Sequence, residues 1–382
     1  MKESKRKPRI ALFGSGVLGG GTVGQGIPVM ADLFERLSLH YDIVYYSFKR
    51  IDTTQVPPAL AVRQIISFKI PERLKYILLM LRFTWDQVLC PVSLIFAISI
   101  YPTGRAAVIL GKIFNVPVLV QIIALEAAAL PEISYGGLHK AWLARITRWV
   151  FKKADVIIAV AHYQKEIAKR SLPTSREIDV LPLRIDTTKF RYKERRIIYP
   201  VQFIHIGFYG PVKDQDTMFE AFAKVARIID CHLTVIGDGF DIPKVRRMMR
   251  NLNIVEKVTF TGFLRQSNIP QYLDSAHVLL HTARFETGCA AIQEAMASGI
   301  AVCGTAVGIL SDIGPQYAIT VQPGDAERLA PKVLTLVKDE AMYQQLTRAA
   351  YQLITSYDAV WSAENYRQCL QDVLNGNGTR RV

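Results

Sequence analysis

Five cysteines in 382 residues (Cys90, Cys231, Cys289, Cys303 and Cys369) are too scattered, and odd in number, for a disulfide framework, and no C-x-x-C pair points to a zinc knuckle. A reducing, cytoplasmic compartment is the expectation. Long apolar runs are missing too. The most apolar region, Leu74 to Tyr101, is interrupted by Lys75, Arg82 and Asp86, and its clean stretch, Val88 to Ile100, falls short of the roughly 20 residues that cross a bilayer. It is too short to span, but long enough to lie on a surface. Met1 to Arg9 is basic, yet the apolar run after it, Ile10 to Phe13, breaks into glycines before it reaches the length of a signal-peptide core, so no secretion signal is read. Acidic residues are scarce in one half only. Residues 1–190 hold 26 Lys+Arg against 14 Asp+Glu, whereas residues 191–382 hold 21 against 19. The formal charge of +14 therefore belongs to the first half and favours an anionic partner: acidic lipid headgroups or a phosphate-bearing substrate. The bases follow no nucleic-acid-binding module and lack regular aromatic interleaving, which argues against nucleic acid as the partner.

What is present is a repeated α/β alternation. RIALFG, a helical pattern from Pro28 to Leu39 and the strand YDIVYYSF make a βαβ opening, and IFAISI (95–100), PVLVQII (117–123), DVIIAVA (155–161) and IDVLPL (178–183) continue it. Helices are expected around 104–114 and 138–152. The pattern restarts at VQFIHIG (201–207), with further strands at 231–237, 257–262, 277–282 and 300–305 and helices at 216–229, 242–252 and 291–297. Such alternation predicts two doubly wound parallel sheets covered by helices. A charged, aperiodic stretch, 187–200, is read as the linker, giving a first domain of 1–190 and a second of 191–357. The last helix, 358–375, is expected to pack back on the first domain, and the tail 376–382 to fray.

Gly14-Ser15-Gly16-Val17-Leu18-Gly19 follows a strand and matches G-x-G-x-x-G, a turn that cradles a pyrophosphate at a helix N-terminus. The nicotinamide version needs an acid at the end of the second strand. Lys49 and Arg50 stand near that end and would suit a 2′-phosphate, so an NADP-dependent oxidoreductase is an alternative reading. The glycines continue through Gly20, Gly21 and Gly24, a longer loop than that turn needs. Gly19, Gly20 and Gly21 are candidate phosphate contacts.

The second half is more specific. Glu286 and Glu294 are separated by seven residues in FETGCAAIQEAMASG, preceded by HLTVIGDG (232–239), KVTFTGF (257–263) and IPQYLDSAHVLL (269–280), and followed by the PGD at 323–325. In kind, order and spacing these segments resemble the donor domain of the retaining GT-B glycosyltransferases, family 4 above all, closely over about 200–340 and loosely over the first half. The resemblance implies a GT-B fold of two Rossmann-like domains facing across a cleft. It implies that Glu286 contacts hydroxyls of the transferred sugar, and that Glu294 contacts those of the ribose. Phe263 and Leu264 would offer backbone atoms to the base, and Gly207 and Lys213 would face the donor phosphates. In that reading the amides of Gly288, Cys289 and Ala290 open a helix and can bind the donor diphosphate without a metal.

The chain also departs from that pattern. Phe208 stands where such proteins place an arginine, Thr287-Gly288-Cys289 replaces glycine-phenylalanine-glycine, and Ile123 to Glu126 lacks the histidine-glycine pair of many relatives. Glu126, followed by PEISYGG, is the acceptor-side candidate. The resulting expectation is a hexosyltransferase-like enzyme of polysaccharide or glycolipid synthesis, with Lys213 and Glu286 as its catalytic residues. It would move a sugar from a UDP- or GDP-linked donor to a sugar or lipid-linked acceptor with retention, using no metal or cofactor, peripherally on the inner face of a membrane. A catalytically weak sugar-nucleotide binder is the alternative the departures leave open.

Overall fold

The computed structural model describes residues 7–19, 26–65, 70–172 and 175–376. Gly20, Gly21 and Gly24 lie outside the described residues, as do the basic residues 2–6 and the tail 377–382.

The chain divides into two units, residues 1–183 with 359–382, and residues 184–358. In the first, β1 (Arg9–Gly14), β2 (Asp42–Ser47), β3 (Ala61–Gln64), β4 (Leu94–Ile98), β5 (Val118–Gln121), β6 (Val156–Ala159) and β7 (Asp179–Val180) form a sheet in the order β3-β2-β1-β4-β5-β6-β7. Every pairing is parallel. Parallel strands covered on both faces need apolar side chains at successive positions, and β4 is buried at all five. Neighbouring residues then serve opposite layers. Ala11 and Phe13 join one core with Leu79, Phe83 and Val108, while Ile10 and Leu12 join another with Leu33, Phe34 and Tyr366.

The apolar region Leu74 to Tyr101 is two elements, a helix at Glu72–Leu89 and then β4. Among the described residues no helix is long and apolar enough to cross a membrane. The closing helix, Ala359–Leu374, belongs to this unit. Tyr366 stacks on Phe96 with ring centroids 6.4 Å apart and donates its hydroxyl to Leu181 O at 2.9 Å.

In the second unit, β8 (Val201–Ile206), β9 (Cys231–Ile236), β10 (Val258–Gly262), β11 (Val278–His281), β12 (Ala301–Thr305) and β13 (Ile319–Val321) run parallel in the order β10-β9-β8-β11-β12-β13. The stretch expected to be a linker is fastened to this unit, so the boundary falls at 183/184 instead of 190/191. The contact that carries residues 184–190 into this unit is Ile185, whose N–H bonds Gln293 Oε1 at 3.3 Å. Further along the same stretch Arg195 is buried and donates to the carbonyls of Asp274 (2.7 Å) and Ser298 (3.1 Å).

Candidate active site

In an open parallel sheet, ligands lie beyond the carboxyl ends of the strands where the order reverses, because neighbouring loops there leave to opposite faces and open a crevice. In the second unit that point falls between β8 and β11. The loop after β8 carries Lys213 and the loop after β11 carries Glu286. Their side chains meet, Lys213 Nζ donating to Glu286 Oε2, with only 16% and 14% of the two side chains exposed. Two residues 73 apart in sequence are thus brought together by topology.

A buried polar network holds the Lys213 loop. Gly207 follows β8 with its N–H on Ile236 O, and Gly237 (φ +143°) packs so closely against it that a Cβ there would lie 2.0 Å from Gly207 O. Gln215 donates to Phe208 O at 2.7 Å and accepts from Gly210 N–H at 3.2 Å, closing the loop on itself. His205 lies fully buried beneath it, its Nδ1 2.9 Å from Leu280 O and its Nε2 3.5 Å from Gln215 Nε2. Burial first, then the neighbouring His281 and Lys213 charges, lower His205 to about 3 and keep it neutral. Asp214 (φ +48°) ties the loop across to β11, accepting Thr282 Oγ1 on its carbonyl at 2.9 Å and facing Arg284 at 3.4 Å through Oδ1.

Glu286 gathers three partners. Oε2 takes Lys213 and stands 3.3 Å from His281 Nε2, and Oε1 accepts Thr287 N–H at 3.1 Å. Burial opposes ionisation, yet the Lys213 charge and the His281 bond outweigh it and hold the carboxyl well below its usual range. His281, Glu286 and Cys289 bring potential ligand atoms within 4.8 Å of one another. The Glu286 oxygen nearest His281 is the one bonded to the Lys213 ammonium.

Beyond Glu286 the chain turns into the helix Ala290–Ala297. Cys289 has φ +29°, a left-handed backbone at a position where the resembled pattern has glycine, and its Sγ is 3.7 Å from His281 Nε2. Gly288 is fixed through its carbonyl by Gln293 Nε2 at 2.6 Å. Gly308 (φ +56°) abuts this turn, and a Cβ there would meet Thr287 O at 2.4 Å. Glu294 is almost fully buried in the helix, accepting Gln266 Nε2 at 2.8 Å; burial raises its pKa, partly offset by that bond. Phe263 donates its N–H to Asp238 Oδ1 at 3.0 Å, and Leu264 follows it toward the turn Gln266–Asn268. Phe208 is 52% exposed, with Lys213 Nζ 5.9 Å from its ring.

Sequence reasoning missed two groups. Arg284, two residues before Glu286, adds a second cation at the crevice, held by Asp214. His281 ends β11 five residues before Glu286, and that position was its only local signal.

In the first unit Glu126 lines a cavity of about 230 Å³ with Tyr101, Tyr135 and Leu143. Its carboxylate accepts from Ser99 Oγ, from Ile100 N–H at 3.1 Å and from Ile123 N–H at 3.2 Å, so it fastens the ends of β4 and β5. Burial raises its pKa against those bonds. Gly19 (φ +62°) packs on Asp52, whose N–H it accepts. The helix after the glycine loop starts only at Pro28, whereas the dinucleotide turn opens directly into its helix, and this removes the support for an NADP site.

Residues 188–353 match the family of glycosyl transferases group 1. Among similar proteins, N-acetyl-alpha-D-glucosaminyl L-malate synthase of Bacillus anthracis is 26% identical over 61% of this chain, and glycogen synthase of Mycobacterium tuberculosis 24% over 66%. The chain spans 65% and 62% of the length of these two relatives. Two solved structures share the architecture. The Thermosynechococcus elongatus sucrose-phosphate synthase has a TM-score of 0.81 at 17% identity, covering 97% of this chain and all of that one. Anabaena HepE, in complex with UDP and glucose, has a TM-score of 0.75 at 16%, covering 96% and 100%. With its two sheets of Rossmann order the chain has the GT-B fold, and its residues 188–353, which hold the crevice, are similar to the glycosyl transferases group 1 family.

Proposed function

We propose that the chain is a retaining glycosyltransferase that moves a sugar from a nucleotide-sugar donor to an acceptor hydroxyl, in polysaccharide or glycolipid synthesis. The observation that carries this reading is the Lys213–Glu286 pair at the reversal of the second sheet, beside the start of the helix Ala290–Ala297. A diphosphate entering the crevice meets the Lys213 ammonium and the amides of Gly288, Cys289 and Ala290, the positive end of the helix. As the anomeric bond breaks, negative charge grows on the departing phosphate, and donors already aimed at it stabilise the transition state more than the ground state. Lys213 swings from Glu286 to the phosphate, and the freed carboxylate accepts sugar hydroxyls. The departing phosphate takes the acceptor proton on the same face, which gives retention. No metal is required in this scheme, since Lys213 and the helix supply the positive charge.

Glu294 accepts the ribose hydroxyls in place of Gln266, and Phe263 and Leu264 border the base. The likeness to HepE with UDP and glucose supports a UDP-linked donor. The acceptor side is assigned to the first unit, whose cavity beside Glu126 has aromatic walls suited to a sugar ring. A weaker catalyst with the same donor site is the second reading, favoured by Phe208 in the place of an arginine.

Thermal stabilisation across UDP-, GDP- and ADP-sugars and NADP tests the reading, because only ligands of the folded state raise the melting temperature. A nucleotide sugar should shift it, and nuclear magnetic resonance of the product should show the donor's anomeric configuration kept. A response to NADP alone, or an inverted product, contradicts it.

A further inference from the structure

We propose that the outer face of the helix Glu72–Leu89 docks the first unit on an anionic lipid surface. Its inner face is spent on the fold, with Leu79 and Phe83 buried and Tyr76 and Met80 packed against the same core. On the opposite side Leu74, Ile77, Leu81, Trp85 and Val88 follow one another at steps of three and four, so they form one stripe along the helix. They are 44% to 73% exposed. A helix apolar on two opposite faces needs two apolar partners, and the described residues cover one. The stripe follows an 18-residue helix about 27 Å long, and a contiguous exposed patch of this kind marks an interaction surface.

Charge identifies the occupant. Arg73 and Arg82 flank the stripe on either side and are exposed, with Lys75 beside Arg82. Lys49 and Arg50, also exposed, continue from Phe48, whose ring lies 5.6 Å from that of Tyr76 on the same helix. The acid near the end of the helix is already engaged. Asp86 accepts Arg63 at 3.2 Å, Arg82 at 3.0 Å and the Tyr46 hydroxyl at 2.9 Å, so it turns toward β2 and β3 and away from the stripe. An apolar line carrying a tryptophan and bordered by bases matches the interface of an anionic bilayer, where rings and methyls enter the acyl boundary and the bases meet headgroups. A second copy of this chain would bring the same positive rim against itself. This inference does not depend on the donor-site reading.

The test is flotation of the full chain with vesicles of phosphatidylcholine alone or mixed with phosphatidylglycerol, for the parent, Trp85→Glu and Leu81→Ser. Both substituted side chains are exposed, so the variants should keep the parent's melting transition and donor response. The parent should float with the anionic vesicles and lose that binding at high salt, and each variant should bind them at least about tenfold more weakly. Failure of the parent to bind, equal binding to neutral vesicles, or undiminished binding by both variants overturns the proposal. So does a parent dimer in light scattering that Trp85→Glu dissolves, which would assign the stripe to a second copy.

Discussion

Glu294 is a carboxylate with one side-chain partner, Gln266, in an almost fully buried position. Its pKa is raised because burial makes the charged form less favourable in the folded protein than in the unfolded chain. The resulting stability is fully present below about pH 4.5, the unfolded value, and is lost as pH rises through the folded pKa. Glu294→Gln removes that loss while keeping an oxygen for Gln266. The variant should therefore melt at or above the parent temperature at pH 8, with the difference closing as pH falls toward about 4.5. Its donor affinity should drop by about 1.5–3 kcal/mol, the value of a hydrogen bond to a charged group. Calorimetry with an unchanged dissociation constant would remove Glu294 from the site. Lys213 and Glu286 were legible one at a time, from a family pattern. Their direct contact was not, because nothing local in either segment encodes a partner 73 residues away. Arg284 was missed for the same reason, since its relation to Asp214 exists only once β8 and β11 are adjacent.

Elements were readable where burial on both faces forces an unbroken apolar run, as in β4 and β6, and where a helix repeats its apolar face, as in Pro28–Ser38. They were not readable at β3, where Ala61–Gln64 has a single β-branched residue, an arginine and a glutamine and is an edge strand. The stretch Leu74 to Tyr101 looked like one apolar region because a doubly apolar helix runs into a buried strand. The boundary at 183/184 was hidden because the bond from Ile185 N–H to Gln293 joins positions 108 residues apart, and the charged stretch reads as linker until the Arg195 guanidinium is found on two carbonyls. The closing helix Ala359–Leu374 depends on one large side chain. Tyr366 fills the core beside Phe96 and satisfies Leu181 O, so Tyr366→Ala should cost about 3–5 kcal/mol of unfolding free energy, measured in denaturant. A loss below about 1 kcal/mol would show that the helix is held by its remaining contacts.

For the whole molecule, the six-stranded sheet repeats the order of the first six strands of the seven-stranded one, and in each the reversal places loops at the carboxyl edge. Chemistry is concentrated in the second unit, and the charge surplus in the first half of the sequence. In the proposed function the donor diphosphate is held at the reversal of the second sheet by Lys213 and the helix start. Phe208 supplies no charge there, and Arg284, like Lys213, is paired with a carboxylate, its guanidinium 3.4 Å from Asp214 Oδ1. The most direct test is turnover of Lys213→Ala at saturating donor, corrected for the folded fraction from its melting transition because Glu286 loses a partner. The rate should fall by about 10²–10³-fold, the usual loss when a preorganised charge on a leaving group is removed. A rate within about threefold of the parent, under 1 kcal/mol of transition-state energy, would mean that the phosphates are held elsewhere.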